Sequence, residues 1–185
     1  CESSICLECL SDPPAYKMAR SVALYRGVLK HAIHKFKFRD KTSLGDSLAK
    51  LMVDHLRLSG LDEILYGVDI VVPVPLHRNR HRSRGYNQCE ILSNAIAGSL
   101  GSRVSPRALT RIRDSRPQFE LGREERKLNV AGAFAVSDHM AVRGRSVLLI
   151  DDILTTNSTV SECSKALRDA GALTIYVLTL AHAPV

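Results

Sequence analysis

Four apolar residues, Val147-Leu148-Leu149-Ile150, lead into two adjacent carboxylates, Asp151 and Asp152. After Ile153 and Leu154 come five small hydroxyl or amide side chains: Thr155, Thr156, Asn157, Ser158 and Thr159. The apolar run predicts a buried strand, Ser146 to Ile150, and the hydroxyl-rich stretch predicts the opening of a helix. In an open α/β sheet, ligands bind beyond the carboxyl ends of the strands. A helix start in that place offers unpaired backbone N–H groups and the positive end of a dipole, which together hold an anion. Thr155, Thr156, Ser158 and Thr159 add hydroxyl donors suited to a phosphate. Asp151 and Asp152 repel such a group. They suit the two vicinal hydroxyls of a ribose, taken directly or through the waters of Mg2+. A phosphate cradle with a diol acceptor just before it describes a ribose-5-phosphate site. An ordinary strand-to-helix turn with an Asp cap uses some of these residue types, but not the whole set.

A second landmark is Val72-Pro73-Val74-Pro75-Leu76-His77-Arg78, running on to Arg84-Gly85-Tyr86-Asn87-Gln88. A buried strand ends there in a Pro-bearing turn, with Arg78, Arg80, Arg82 and Arg84 behind it. Guanidinium groups grip phosphate oxygens bidentately, so this corner suits a pyrophosphate. The net charge of the chain is +7, and between Arg78 and Lys127 12 Lys and Arg stand against 5 Asp and Glu. The whole excess therefore sits in one middle segment, whose field attracts phosphates, pyrophosphate or nucleic acid. A solvated basic surface is the plainer reading of the same run.

The five cysteines are an odd number without a secretory signal, which argues against a disulfide framework and for a cytoplasmic protein. Cys89 and Cys163 fall in helical patterns and read as small core residues. Cys6 and Cys9 form a C-x2-C pair, the spacing at which two thiolates share one tetrahedral zinc, and Cys1 offers a third ligand. The chain opens on Cys1 rather than Met, so an upstream segment is expected. No run approaches the roughly 20 apolar residues needed to span a bilayer, so no membrane insertion is expected.

These groups need elements to position them. Residues 1–20 hold the first cysteines and break at Asp12-Pro13-Pro14. Val22 to Leu24 reads as a short strand. Leu29, Ala32, Ile33 and Phe36 share one face of a first amphipathic helix; Leu44, Leu48, Leu51, Met52 and His55 share one face of a second. From Val68 to Val74 a β-branched run predicts a strand buried on both faces. A helix over 87–100 follows, stopped by Gly101, and Leu109 closes a short strand. Residues 110–130, polar and weakly periodic, predict a long flexible loop. Strands at Ala131 to Val136 and Thr174 to Leu180 and a helix over 158–170 complete the set. Such alternation predicts right-handed crossovers and a mainly parallel sheet with helices on both faces. Three units are expected: a partial zinc-ribbon-like segment at 1–20, a helical hood at 21–66 and a core at 67–185.

The acidic segment resembles the phosphoribosyl-pyrophosphate (PRPP) fingerprint of type I phosphoribosyltransferases, four apolar residues, two acids, then Thr-Thr-Gly-x-Thr. Asn157 stands where that fingerprint has glycine. Glycine allows φ > 0 there, and Asn tolerates the left-handed region best of the remaining residues. With Pro-x-Pro, Arg-Gly-Tyr-Asn-Gln, Gln118 with Leu121, and Arg126 with Asn129, nearly the whole chain resembles one family, competence protein F (ComF), linked to DNA uptake.

The resemblance implies a type I phosphoribosyltransferase-like fold and a pentosyltransferase reaction on Mg2+-PRPP. The ribose phosphate would lie on Asp151 to Thr159, with Asp151 and Asp152 catalytic. The pyrophosphate would lie against Leu76, His77, Arg78 and Arg84. Departure of pyrophosphate leaves an oxocarbenium-like ribose, stabilised by adjacent anionic charge. Arg116, Gln118 and Arg126 would belong to a loop that closes over the site and excludes water. An acceptor pocket is expected near Lys37 and Phe38. The resemblance also implies that Cys6 and Cys9 are the second pair of an N-terminal zinc ribbon. Two other readings use the same residues. One is a single-stranded-DNA-binding module, the other a PRPP sensor that docks a helicase partner without turnover.

Overall fold

The computed structural model describes residue 10 and residues 13–37, 43–114 and 123–183. Cys1, Cys6, Cys9, Arg116 and Gln118 lie outside the described residues, as does the side chain of Arg126. The strands are β1 (Met18–Leu24), β2 (Ile70–Pro73), β3 (Arg103–Val104), β4 (Leu109–Arg111), β5 (Phe134–Val136), β6 (Ser146–Leu154) and β7 (Thr174–His182). The helices are α1 (Gly27–Phe36), α2 (Ser43–Leu58), α3 (Leu61–Ile64), α4 (Arg78–Arg84), α5 (Gln88–Leu100), α6 (Arg123–Val130), α7 (His139–Val142) and α8 (Ser158–Asp169). None is long and apolar enough to cross a membrane among the described residues.

Five strands form one parallel sheet in the order β1-β7-β6-β2-β3, the expected mainly parallel architecture with flanking helices. Side-chain alternation splits its core into two layers. On one face Ile70, Val72, Val147, Leu149, Ile175 and Val177 pack with Val160, Cys163 and Leu167 of α8. On the other, Val71, Leu148, Ile150 and Leu178 pack with Ile33 and Phe36 of α1, Met52 and Leu56 of α2, and Leu92 and Ile96 of α5. Fully burying one such side chain contributes about 1.5–3 kcal/mol, so the sheet is fixed from both sides.

The strand order also locates a crevice. From β6 the chain passes through α8 to β7 on one side, and from β2 through α5 to β3 on the other. The switch point lies between β6 and β2, whose pairing ends at Pro73 and Ile150. Asp151 and Asp152 are the next two residues of β6.

Several expectations need correction. The strand expected to stop at Ile150 runs through both acids to Leu154, because β7 continues beside it and pairs as far as His182. β1 starts at Met18 and lies at the edge of the main sheet, so the boundary drawn at residue 21 falls inside a sheet strand. Leu109 opens β4 rather than closing a strand, and β5 starts at Phe134 rather than Ala131. The loop expected over 110–130 instead contains the end of β4 and helix α6. Arg113 donates to the carbonyls of Leu128 (3.3 Å), Asn129 (3.5 Å) and Ala131 (2.6 Å), satisfying the end of that helix. The Gly132 amide donates to Glu162 of α8 at 2.7 Å, and Val130, Ala133 and Phe134 are buried in the first core layer.

Candidate functional site

The site is built on the end of β6. Adjacent strand residues point to opposite faces, and the acidic doublet divides accordingly. Asp151 accepts from the Cys89 thiol at 3.5 Å and from the Asp152 amide at 2.8 Å. Asp152 pairs with Lys37, just beyond α1, at 3.0 Å. Burial and then the Asp152 charge push the Asp151 carboxyl up to about 7. Burial disfavours the Lys37 ammonium, but the charge and hydrogen bond of Asp152 outweigh it, and its pKa rises. Burial followed by the charges of Asp151 and Asp152 holds the Cys89 thiol well above its ordinary range, so it stands as a protonated donor.

Two arginines feel the charge of the doublet. Burial lowers the Arg84 pKa against the pull of Asp152, with Arg80 adding repulsion. Arg111 shows the same pattern, lowered by burial and by Arg80 and opposed by Asp114 and Asp151; its guanidinium also lies over the Phe134 ring, 5.3 Å from the centroid.

Beyond the doublet the chain turns through Thr155, Thr156 and Asn157 into α8. Asn157 adopts φ 58, ψ −11, the left-handed region, and is the only described residue other than glycine with positive φ. Its side chain makes no cap hydrogen bond. The Thr156 and Ser158 hydroxyls, expected to serve a ligand, are buried and bonded to one another at 2.9 Å. Thr155 and Thr159 remain partly exposed. An open groove of about 570 Å³ is lined by Thr156, Asn157 and Ser158 together with Pro13, Tyr16 and Lys165. It reaches the turn but not the doublet.

The second landmark carries a network of internal contacts. His77 is buried, with Nδ1 3.1 Å from Asp114, and Asn79 donates to the same carboxylate oxygen at 3.0 Å. The segment after β2 is thereby tied to the segment after β4. Leu76 is partly buried and Arg78 is exposed on α4. Gly85 ends α4 in the left-handed conformation. The Tyr86 hydroxyl donates to the Phe36 carbonyl, with the two rings 6.1 Å apart. Buried Asn87 caps α5 through the Cys89 amide and donates to the Val74 carbonyl at 3.1 Å. Gln88 accepts from Arg84 at 3.1 Å. Arg-Gly-Tyr-Asn-Gln thus aims Arg84 and fixes the helix starts around the crevice.

Sequence reasoning missed Lys37 as partner of Asp152, Cys89 as donor to Asp151, and Asp114 as anchor of His77. All three contacts join residues 35 or more positions apart, and no local pattern announces them.

No protein-family model matches the chain. It is 33% identical to DNA utilization protein YhgH of Salmonella typhimurium, over 95% of this chain and 76% of that protein. It is 31% identical to competence protein F of Haemophilus influenzae, over 96% and 78%. With competence protein ComFC of Bacillus subtilis it shares 25% identity over 91% and 68%. Among solved structures, glutamine PRPP amidotransferase from B. subtilis, complexed with ADP and GMP, overlays 73% of this chain with a TM-score of 0.46 and 20% identity. The chain spans about a quarter of that solved chain, 25%.

Proposed function

The chain belongs to the competence protein F family, and we propose that it acts in DNA uptake or use by binding Mg2+-PRPP at the end of β6 and transferring its phosphoribosyl group. The observation that carries this reading is Asn157. Few residue types other than glycine and Asn take up the left-handed region, and here such a residue joins an acidic strand at the switch point to the start of α8. A turn held in that form at a ligand crevice fits a phosphate cradle.

In this reading the 5-phosphate is held by the backbone amides at the start of α8, with Thr155 and Thr159 at hand. Asp151 and Asp152 take the ribose hydroxyls. Hard carboxylate oxygens suit a magnesium ion carried by the ligand, and such an ion supplies charge neutralisation to the pyrophosphate. Arg84, oriented by Gln88, and Arg80 face the departing pyrophosphate. As it leaves, positive charge grows on the ribose ring, and the doublet stabilises it.

Calorimetric titration of Mg2+-PRPP, paired with a pyrophosphate-release assay, tests the reading. Hydrogen bonds to charged groups contribute about 1.5–3 kcal/mol, so Asp151→Asn/Asp152→Asn should weaken binding by roughly tenfold to a hundredfold. Equal binding by both proteins sinks the diol assignment. Binding without pyrophosphate release makes the protein a sensor rather than a transferase. A second reading, single-stranded-DNA binding with a helicase partner, draws on the exposed Arg78 and Arg82 of α4. It requires a steep fall of DNA affinity with salt and no PRPP binding.

A further inference from the structure

Lys37 lies at the far end of the chain from the doublet it touches, and it is held there by construction. The Phe36 carbonyl accepts from the Tyr86 hydroxyl. The Phe36 side chain is fully buried, and its ring lies so close to Gly45 that a Cβ there would stand 2.9 Å from it. The end of α1 is thus clamped by α2 and by the residue before Asn87, and Lys37 follows directly. Its ammonium meets Asp152 at 3.0 Å with the two side chains only 26% and 14% exposed.

We propose that Lys37 is the resident counter-ion of the site, holding on Asp152 the place that a divalent cation would take. A bare divalent ion must evict a tethered, partly desolvated ammonium and gains only the doublet in return. A cation escorted by a polyphosphate also presents phosphate oxygens, to which the released Lys37 can turn. Lys37 therefore keeps the doublet closed to free metal and open to a metal–phosphate complex. This rests on the reading above only in naming what the cation arrives with; the exchange itself concerns Asp152 and two competing cations.

The test uses Mn2+ alone, with free ion counted by electron paramagnetic resonance at fixed pH 8. Wild type and Lys37→Arg are expected to bind weakly, Lys37→Met at least tenfold more tightly, and Lys37→Met/Asp152→Asn to lose that gain. A folded Lys37→Met protein with wild-type Mn2+ affinity overturns the proposal, as does a gain that survives in the double variant. A second measurement needs no change at Lys37. Amine acetylation followed by mass spectrometry should label Lys37 more slowly than Lys50, whose side chain is 75% exposed. Asp152→Asn should raise the Lys37 rate severalfold, and an unchanged rate counts against the pairing. Neither readout involves PRPP, so failure here is separate from failure of PRPP binding.

Discussion

Removing the charge of Asp151 should change the way stability depends on pH. In the fold its carboxyl is pushed from 3.8 to about 7 by burial and by Asp152, so the native state holds this proton more tightly than the unfolded chain does. The resulting contribution is fully present below pH 4 and is lost as pH climbs toward 7; above that it changes no further. At about 1.4 kcal/mol per pH unit over roughly three units, the loss comes to about 4 kcal/mol. Asn at 151 imitates the protonated acid and keeps an oxygen for the Cys89 thiol and the Asp152 amide. Asp151→Asn should therefore lie within about 1 kcal/mol of wild type near pH 4.5 and exceed it by a few kcal/mol at pH 8.5. Urea unfolding followed by circular dichroism at several pH values measures this, and the difference between the two proteins cancels the other titrating groups. A difference that stays flat from pH 4.5 to 8.5 refutes the reasoning. Because the Asp152 charge is the second cause of that shift after burial, Asp152→Asn should lower the Asp151 pKa and flatten part of the same slope.

Three further substitutions probe the supports of the site. Asn157→Val places a β-branched residue at φ 58 and should cost about 1–2 kcal/mol in thermal or urea unfolding, whereas Asn157→Gly should leave stability within about 1 kcal/mol of wild type. Asn87→Ala removes the α5 cap and leaves the Val74 carbonyl without its side-chain donor, an expected loss of about 2–3 kcal/mol by urea unfolding. Gly45→Ala drives a Cβ to 2.9 Å from the Phe36 ring and should destabilise by about 1–3 kcal/mol. It should also loosen the Lys37–Asp152 pair, seen as faster acetylation of Lys37.

What could be read from the sequence follows from which interactions are local. The β-branched run before Pro73 and the helix bounded by Asn87 and Gly101 carry their own signals, and both lie where expected. The turn at 155–157 is equally legible, since Asn tolerates the left-handed conformation that this position adopts. The end of β6 was misplaced because its last four residues owe their extended form to pairing with β7. Helix α6 was missed because only Leu128 and Val130 among its eight residues are apolar, too few to show a period. In Arg-Gly-Tyr-Asn-Gln only Arg84 is expected at a ligand; the contacts that Tyr86, Asn87 and Gln88 make with Phe36, Val74 and Arg84 exist only once the chain has folded and leave no local pattern. The ion pair between Lys37 and Asp152 spans 115 positions and has no signature in either segment.

The central claim is that a sugar phosphate is held where the acidic doublet meets the start of α8, and a crystal soaked with ribose 5-phosphate tests it most directly. The account predicts phosphate density within hydrogen-bonding distance of the backbone amides at 157–159, with the ribose hydroxyls turned toward Asp151 or Asp152. Phosphate density on the α4 arginines instead, with the turn at Asn157 left bare, would contradict it.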